Sequence, residues 1–384
     1  NPNKEASDYK YRDLDFAKKD AEDLASAVEA TAKNLFNNDY KIYRLTGNGN
    51  TENAPTKANL QKVLNEIAQQ ANAEDILYIF FAGHGDIKKE NQSKDIRFIL
   101  QNADKKNMAT SSFGVDELSN WCHPKNIKAQ KRVFVFDACH SGQIINQTVA
   151  FNGRGDEEAT RIRQLDKLKD KNGMMILAAA ADNESAYEDE TLNQGVLTYH
   201  LLQSMKEWNK DTALVIREWF EDAIDLVKAY SREHGNQQEP NSFGDGRFEI
   251  GNIKNNVRDS IKITCPKTRV GTCIFTANTE TKKMYPNVQK RINEFFAGRG
   301  RGENLIFSKN TDKSISAQGY FETNRGKVKV YYDIKRGEEV LKESIELPLA
   351  KYNNEEELVK SITSSISKEI EILVNKQNKC NLRK

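Results

Sequence analysis

The apolar positions change rhythm along the chain, and each change predicts an element. Residues 15–36 (DFAKKDAEDLASAVEATAKNLF) place Phe16, Ala17, Ala21, Leu24, Ala25, Val28 and Leu35 at helical spacing. KIYRL at 41–45 predicts a short strand. TENAPTKANLQKVLNEIAQQA then opens with turn chemistry and continues as a helix with Leu60, Val63, Leu64 and Ile67 on one face. ILYIFF at 76–81 is a continuous apolar run, the mark of a strand covered on both faces of a sheet. The same mark recurs in VFVFD at 133–137 and MMILAAA at 174–180, with a helix predicted over 113–122. GVLTYHLLQSMKEW and TALVIREWFEDAIDLVKAY predict two more helices, and RFEI at 247–250 a closing strand. Alternating strands and helices predict an α/β domain, a mostly parallel sheet flanked by helices.

After about residue 255 the rhythm shortens. TCIFTA, NLIFS, SAQGYF, KVKVYYDIK and EVLKESIEL alternate apolar and polar residues, as half-buried antiparallel strands do. YPNVQKRINEFF predicts a helix, and Leu358, Ile362, Ile366, Ile370 and Leu373 form one apolar stripe on a last long helix. The expected organisation is therefore an α/β domain over 1–254 and a smaller α+β domain over 255–384. Two domains are also what 384 residues predict by length alone. Residues 1–14 are polar and strandless, whereas an open α/β domain normally starts with a central strand. An apolar first strand is accordingly expected, either preceding Asn1 or supplied by an N-terminal fragment or a partner chain.

Composition narrows the function classes. A net charge of +2 gives no basic excess for nucleic acid, and no run approaches the roughly 18 apolar residues of a membrane span. No apolar signal segment is visible at the start, and with few cysteines this favours a cytoplasmic setting. The five cysteines (Cys122, Cys139, Cys265, Cys273, Cys380) are too sparse for a disulfide scaffold. Cys122-His123 and Cys139-His140 lack the spacing of a zinc site, so no metal ligands are assigned.

Two of the buried strands end in reactive residues. IFFAGHG delivers His84 between two glycines, and VFVFDACHSG delivers Cys139 just past Asp137. In parallel sheets chemistry gathers beyond the carboxyl ends of the strands. A thiol is only a few per cent thiolate at neutral pH, and a neighbouring imidazole can take its proton and later give it to a leaving amine. Attack on an amide also needs donors for the oxyanion, and the N–H groups of Gly85 and Cys139 are placed to supply them. Ser141 and Gly142 suit a tight turn after the nucleophile.

FFAGHG followed 55 residues later by FDACHSG resembles the caspase-like (clan CD) cysteine peptidases, particularly metacaspases and bacterial caspase homologues. DFAKKDAEDLASAV, GVLTYHLLQSM and QEPNSFG fit the same layout, so the resemblance covers roughly residues 8–250. It implies His84 as base and acid, Cys139 as nucleophile, and Gly85 with Cys139 as oxyanion donors. It also implies Asp137 and Asp182 as acids of the primary specificity pocket, favouring Arg or Lys before the scissile bond. The linker 143–172 carries Arg154, Arg161 and Arg163, so a basic preference makes it a candidate self-cleavage site in a zymogen. No cofactor is expected. Some members of the family need calcium, so calcium activation stays open, with the acidic segment 182–190 as the place for it although no EF-hand-like loop is present. The alternative reading is a catalytically silent caspase-like scaffold. Expected partners are protein or peptide substrates, with neither nucleic acid nor membrane.

Overall fold

The computed structural model describes residues 11–141 and 174–375, less short breaks at 12, 50, 91–92, 102, 104–107, 182–183, 209–212, 265, 272, 300–304, 308–314 and 337–338. The chain forms two compact units. The first holds residues up to 263 except 190–193; the second holds 190–193 and 264–384.

In the first unit, α1 (Ala17–Phe36) and α2 (Lys57–Gln70) precede β1 (Ile76–Ala82). A hairpin follows, β2 (Gly85–Glu90) and β3 (Ser93–Ile99), with β4 (Ser112–Gly114) as its third strand. Next come α3 (Val115–Trp121), β5 (Lys131–Asp137), β6 (Met174–Ala178) and the two-residue pair β7 (Glu188–Asp189) and β8 (Gln194–Gly195). The unit closes with α4 (Val196–Glu207), β9 (Ala213–Val215), α5 (Ile216–His234), β10 (Asn241–Gly244) and β11 (Glu249–Asn252). The central sheet has the order β1-β5-β6-β10, with β1, β5 and β6 parallel and β10 antiparallel. The three apolar runs that predict buried strands are thus its three parallel members.

Alternation along β5 explains the two covered faces. Phe134 and Phe136 join Ile176 and Ala178 in a core with Leu64 of α2, Leu118 of α3, and Phe98 and Phe113 of the hairpin sheet. Phe98 stacks on Phe136 with ring centroids 4.6 Å apart, which braces the carboxyl end of β5. Val133 and Val135 point the other way and are fully buried too. α4 and α5 pack against each other, and α1 lies against β1 and β11.

Two differences from the sequence-based expectation concern the β1 side. Residues 41–45 join no ladder among the described strands. β1 has β5 on one edge and no described strand on the other, so most of it is only half-buried. Between this free edge and residues 40–46 lies a cavity of about 1770 Å³. Its walls include Leu24, Val28, Leu60, Val63 and Ile79. The hydroxyl of Tyr78, which also lines it, is buried without a hydrogen-bond partner.

The second unit pairs β12 (Thr268–Val270) with β14 (Leu305–Phe307). Its main sheet has the order β13-β15-β16-β17, from β13 (Cys273–Ala277), β15 (Ile315–Asn324), β16 (Lys327–Arg336) and β17 (Glu339–Pro348). β15, β16 and β17 are antiparallel as expected, whereas β13 runs parallel to β15. The helical crossover α6 (Thr279–Met284) and α7 (Val288–Glu294) between them makes that direction possible. The final helix α8 (Glu355–Asn375) buries Leu358, Ile362, Ile366 and Ile370 completely, together with Phe275, Phe296 and Phe321.

Candidate active site

Strand register places the two reactive residues level with each other. β1 and β5 pair in parallel from Ile76↔Lys131 to Ala82↔Asp137, and His84 and Cys139 each follow two residues later. The ladder continues past the last pair, since Gly83 N–H donates to the Asp137 carbonyl at 3.1 Å. Adjacent strands lie about 4.8 Å apart, so His84 and Cys139 follow the carboxyl ends of neighbouring strands at the same level. Contact between the two motifs is direct. A Cβ on Gly85 would overlap the carbonyl oxygen of Cys139, which explains glycine at that position.

The Gly85 N–H is also available. Ile99 N–H donates to the His84 carbonyl at 2.9 Å, which makes 84/99 a hydrogen-bonded pair of the β2–β3 hairpin. Such pairs alternate in antiparallel ladders, so Gly85, opposite Phe98, falls at a non-bonded position and its N–H points out of the ladder.

Cys139 is half-buried, unlike Cys122 and Cys273, whose thiols burial pushes up to about 12. The Cys139 Sγ donates to the Ala186 carbonyl at 3.7 Å. His140 makes the turn after Cys139, with a left-handed φ of 57° that few non-glycine residues adopt. Its N–H donates to the Glu184 carbonyl at 3.1 Å. The hydroxyl of Ser141, fully buried, accepts from Ala180 N–H at 3.3 Å and ties the turn to the end of β6. Gln238, from the QEPNSFG motif, clamps the same region. Its carbonyl oxygen accepts from Tyr187 N–H and its amide donates to the Ala179 carbonyl, both at 3.1 Å.

Asp137 turns inward. Its Oδ2 accepts from the Thr198 hydroxyl at 2.6 Å and the Thr198 N–H at 3.1 Å, at the start of α4. Beside it stands Asp20 of α1, only 2% exposed, which accepts from Gly195 N–H at 3.0 Å. A Cβ on Gly195 would press on both carboxylates at 2.8 Å, so the two acids converge on one point. Burial pushes both carboxyls above the usual range, and the Asp137 charge raises Asp20 further. Hydrogen bonds from Gly195 and Thr198 offset part of the rise. Two buried like charges are unfavourable until a proton or a cation joins them.

The acid next to Asp137 is therefore Asp20, which the sequence pattern places only within the first helix. Its one signal there is a charged residue at a core-facing position, three residues after Ala17 and four before Leu24. Asp182, Arg154, Arg161 and Arg163 lie outside the described residues. Among the described residues no three His, Cys, Asp or Glu side chains are grouped to hold a metal ion. No described helix is long and apolar enough to cross a membrane.

The caspase-domain family model matches residues 6–245. The chain belongs to that family. It is 25% identical over 223 residues to metacaspase-1 of Plasmodium falciparum, covering 54% of this chain and 34% of that protein. To metacaspase-2 of Trypanosoma brucei brucei it is 21% identical over 136 residues, covering 34% of this chain and 39% of the relative. The chain thus spans little more than a third of the curated relatives it matches. Among solved structures, protein GSU0716 of Geobacter sulfurreducens aligns with a TM-score of 0.40 at 17% identity, covering 63% of this chain and 89% of that one. The matched family segment takes in β1, β5, β6 and both reactive motifs.

Proposed function

We propose that this caspase-domain protein is a cysteine endopeptidase that cleaves after arginine or lysine. The observation that carries the peptidase reading is the in-register pairing of β1 with β5, past whose carboxyl ends His84 and Cys139 follow at the same level. In the reaction the Cys139 thiol passes its proton to His84, and the sulfur attacks the scissile carbonyl carbon. The oxyanion receives the N–H groups of Gly85 and Cys139, each worth about 2.7–4 kcal/mol in comparable sites. Collapse of that intermediate breaks the C–N bond, and the departing amine takes the proton held on His84. Water, deprotonated by the same imidazole, then hydrolyses the thioester and restores the thiol.

The preference for a basic side chain rests on Asp137 together with Asp20. A guanidinium or ammonium entering beside the pair would replace the shared proton with a full positive charge and convert repulsion into charge-assisted hydrogen bonds. Asp182, which the family resemblance implies, stays a candidate third acid. Cleavage within 143–172, at Arg154, Arg161 or Arg163, follows from the same preference.

The test is hydrolysis of peptide–coumarin substrates ending in Arg, Lys or Asp by the protein and its Cys139→Ala form. Cleavage after Arg or Lys that disappears in the variant is the expected outcome. Cleavage confined to Asp would overturn the role given to the acid pair, and equal activity in the variant would remove the nucleophile.

A further inference from the structure

We propose that Tyr11 is a positioning residue for His84, held in place by Asp86. The inference rests on the reading of His84 as base and adds a residue to it. His84 is flanked by Gly83 and Gly85, neither of which has a side chain to wall its ring. The backbone around His84 is held by Gly83 N–H on the Asp137 carbonyl and by Ile99 N–H on the His84 carbonyl, but these bonds do not fix the rotation of the imidazole about its own side-chain bonds. A general base must nevertheless stay within hydrogen-bond reach of the thiol, and misplacement of about 1 Å can lower a rate about a hundredfold. The wall has to come from another part of the chain.

Tyr11 supplies it. Its ring faces the His84 imidazole with centroids 5.7 Å apart and planes inclined by 35°. The phenol is fixed at its far end, where the hydroxyl donates to Asp86 Oδ2 at 2.6 Å. Asp86 is itself braced, since its Oδ1 accepts from Ile87 N–H at 2.8 Å. Asp86 lies two residues beyond His84, so in an extended chain the two side chains leave the same side. Burial and the Asp86 carboxylate push the phenol above its ordinary range, which keeps it a donor.

The segment carrying Tyr11 is anchored a second time. Asp15 N–H and Phe16 N–H donate to the Glu188 carboxylate at 3.0 and 2.8 Å, just before α1 begins. Tyr11 at one position and Asp15 with Phe16 at another are therefore both fixed, a strap that sets the tyrosine ring beside the imidazole. Tyr11 makes no bond to substrate in this proposal. It limits the rotation of the residue that does the proton transfer.

The experiment compares Tyr11→Phe, Tyr11→Ala and Asp86→Asn with the parent protein. Its readouts are kcat and KM on the best Arg-peptide substrate, melting temperature, and the imidazole C–H signal of His84 in 13C-histidine protein. Assignment uses His84→Gln, which removes one of five histidine signals. Tyr11→Ala is expected to lower kcat about tenfold with KM within about twofold, and to move the His84 signal as the ring current is lost. Tyr11→Phe keeps the ring and should retain most of that signal shift, with a kcat between the other two. Asp86→Asn should resemble Tyr11→Phe. Unchanged kcat and an unmoved His84 signal in Tyr11→Ala would overturn the proposal. So would a loss of kcat matched by KM and melting temperature, which would mark a strap that only stabilises. Full activity in His84→Gln would instead bring down the assignment of the base itself.

Discussion

Replacing Asp20 by asparagine separates two opposite consequences of the buried acid pair. Asp20 is 2% exposed and Asp137 is 7% exposed, and the two carboxylates face one point beside Gly195. Both carboxyls titrate above the usual range in the folded protein, first because they are buried. For an acid with a raised folded pKa, stability is fully present below the unfolded value, about 3.9 for Asp, and is lost as pH rises through the folded value. The folded state holds the proton more tightly than the unfolded chain, and giving it up works against folding.

Asparagine removes that titration while keeping the geometry. Its Oδ1 can still accept from Gly195 N–H, and its amide can donate to Asp137. Each tenfold gain in a carboxyl's proton affinity on folding corresponds to about 1.4 kcal/mol, and full burial can produce several such factors. With the Gly195 bond offsetting part of this, Asp20→Asn should gain about 2–3 kcal/mol at pH 8 and almost nothing at pH 4. For a unit of this size that is a rise in melting temperature of about 5–10 °C. The same change removes one of the two charges that the proposed specificity assigns to the substrate cation. Truncating one partner of a buried charge pair costs about 2–5 kcal/mol, so kcat/KM on Arg substrates should fall about 30- to 4,000-fold. Thermal melts at pH 4 and pH 8, run beside Arg-peptide kinetics, read both effects. A variant that melts earlier at pH 8, or gains equally at pH 4, would refute the account of the pair. Undiminished Arg cleavage would refute its role in specificity.

Gly85→Ala should lower turnover by about a hundredfold or more and lower the melting temperature as well, because the new Cβ meets the backbone carbonyl oxygen of Cys139. Active-site labelling with a small thiol reagent, alongside kinetics, distinguishes displacement of the nucleophile from unfolding. Gln238→Ala leaves Tyr187 N–H and the Ala179 carbonyl without their partner. Urea denaturation is expected to show a loss of about 2–4 kcal/mol, and an unchanged midpoint would argue against the clamp. The cavity beside β1 should accept an extended apolar segment, whose seven residues at about 3.3 Å each match the free edge of that strand. A valine-rich heptapeptide with lysines at each end is expected to slow amide exchange in 41–45 and β1. Exchange rates unaffected by excess peptide would count against a strand-accepting slot.

The parts of the fold that are legible in the sequence are those whose signal is local. ILYIFF, VFVFD and MMILAAA each carry their own strand signal, and they are the three parallel strands, although β1 is only half-buried. The stripe Leu358, Ile362, Ile366, Ile370 likewise announces the buried face of α8. The hairpin β2–β3 is not legible, because GDIKKENQSKDIRFIL alternates weakly and is crowded with charge. It holds together through Ile96 and Phe98, whose partners are far along the chain. KIYRL has strand composition but needs a neighbour to become one, and a propensity cannot supply a ladder partner. In the site, the motif pair His84 and Cys139 is legible because sequence spacing and strand ends coincide. Asp20 is not, since its meaning lies in a partner 117 residues away, on a strand the helix merely passes.

That long-range pairing has a consequence for how the site is held together. One stretch of ten residues carries Tyr11 over His84 and Asp20 beside Asp137. Between them, the N–H groups of Asp15 and Phe16 are fixed by Glu188, whose charge also raises the Asp20 and Asp137 carboxyls. Glu188 therefore acts on both ends of the stretch, as an anchor and as a third negative charge near the acid pair. Glu188→Gln keeps one of the two acceptor oxygens and removes the charge, whereas Glu188→Ala removes the charge and both acceptors. If the anchor matters for His84, the alanine form should lower kcat more than the glutamine form. If the charge matters for the acid pair, both forms should bring the carboxyls back toward their usual range and shift the pH dependence of KM for Arg substrates to lower pH. A variant pair that behaved identically in kcat and in the KM profile would show that the stretch does not link the two halves of the site.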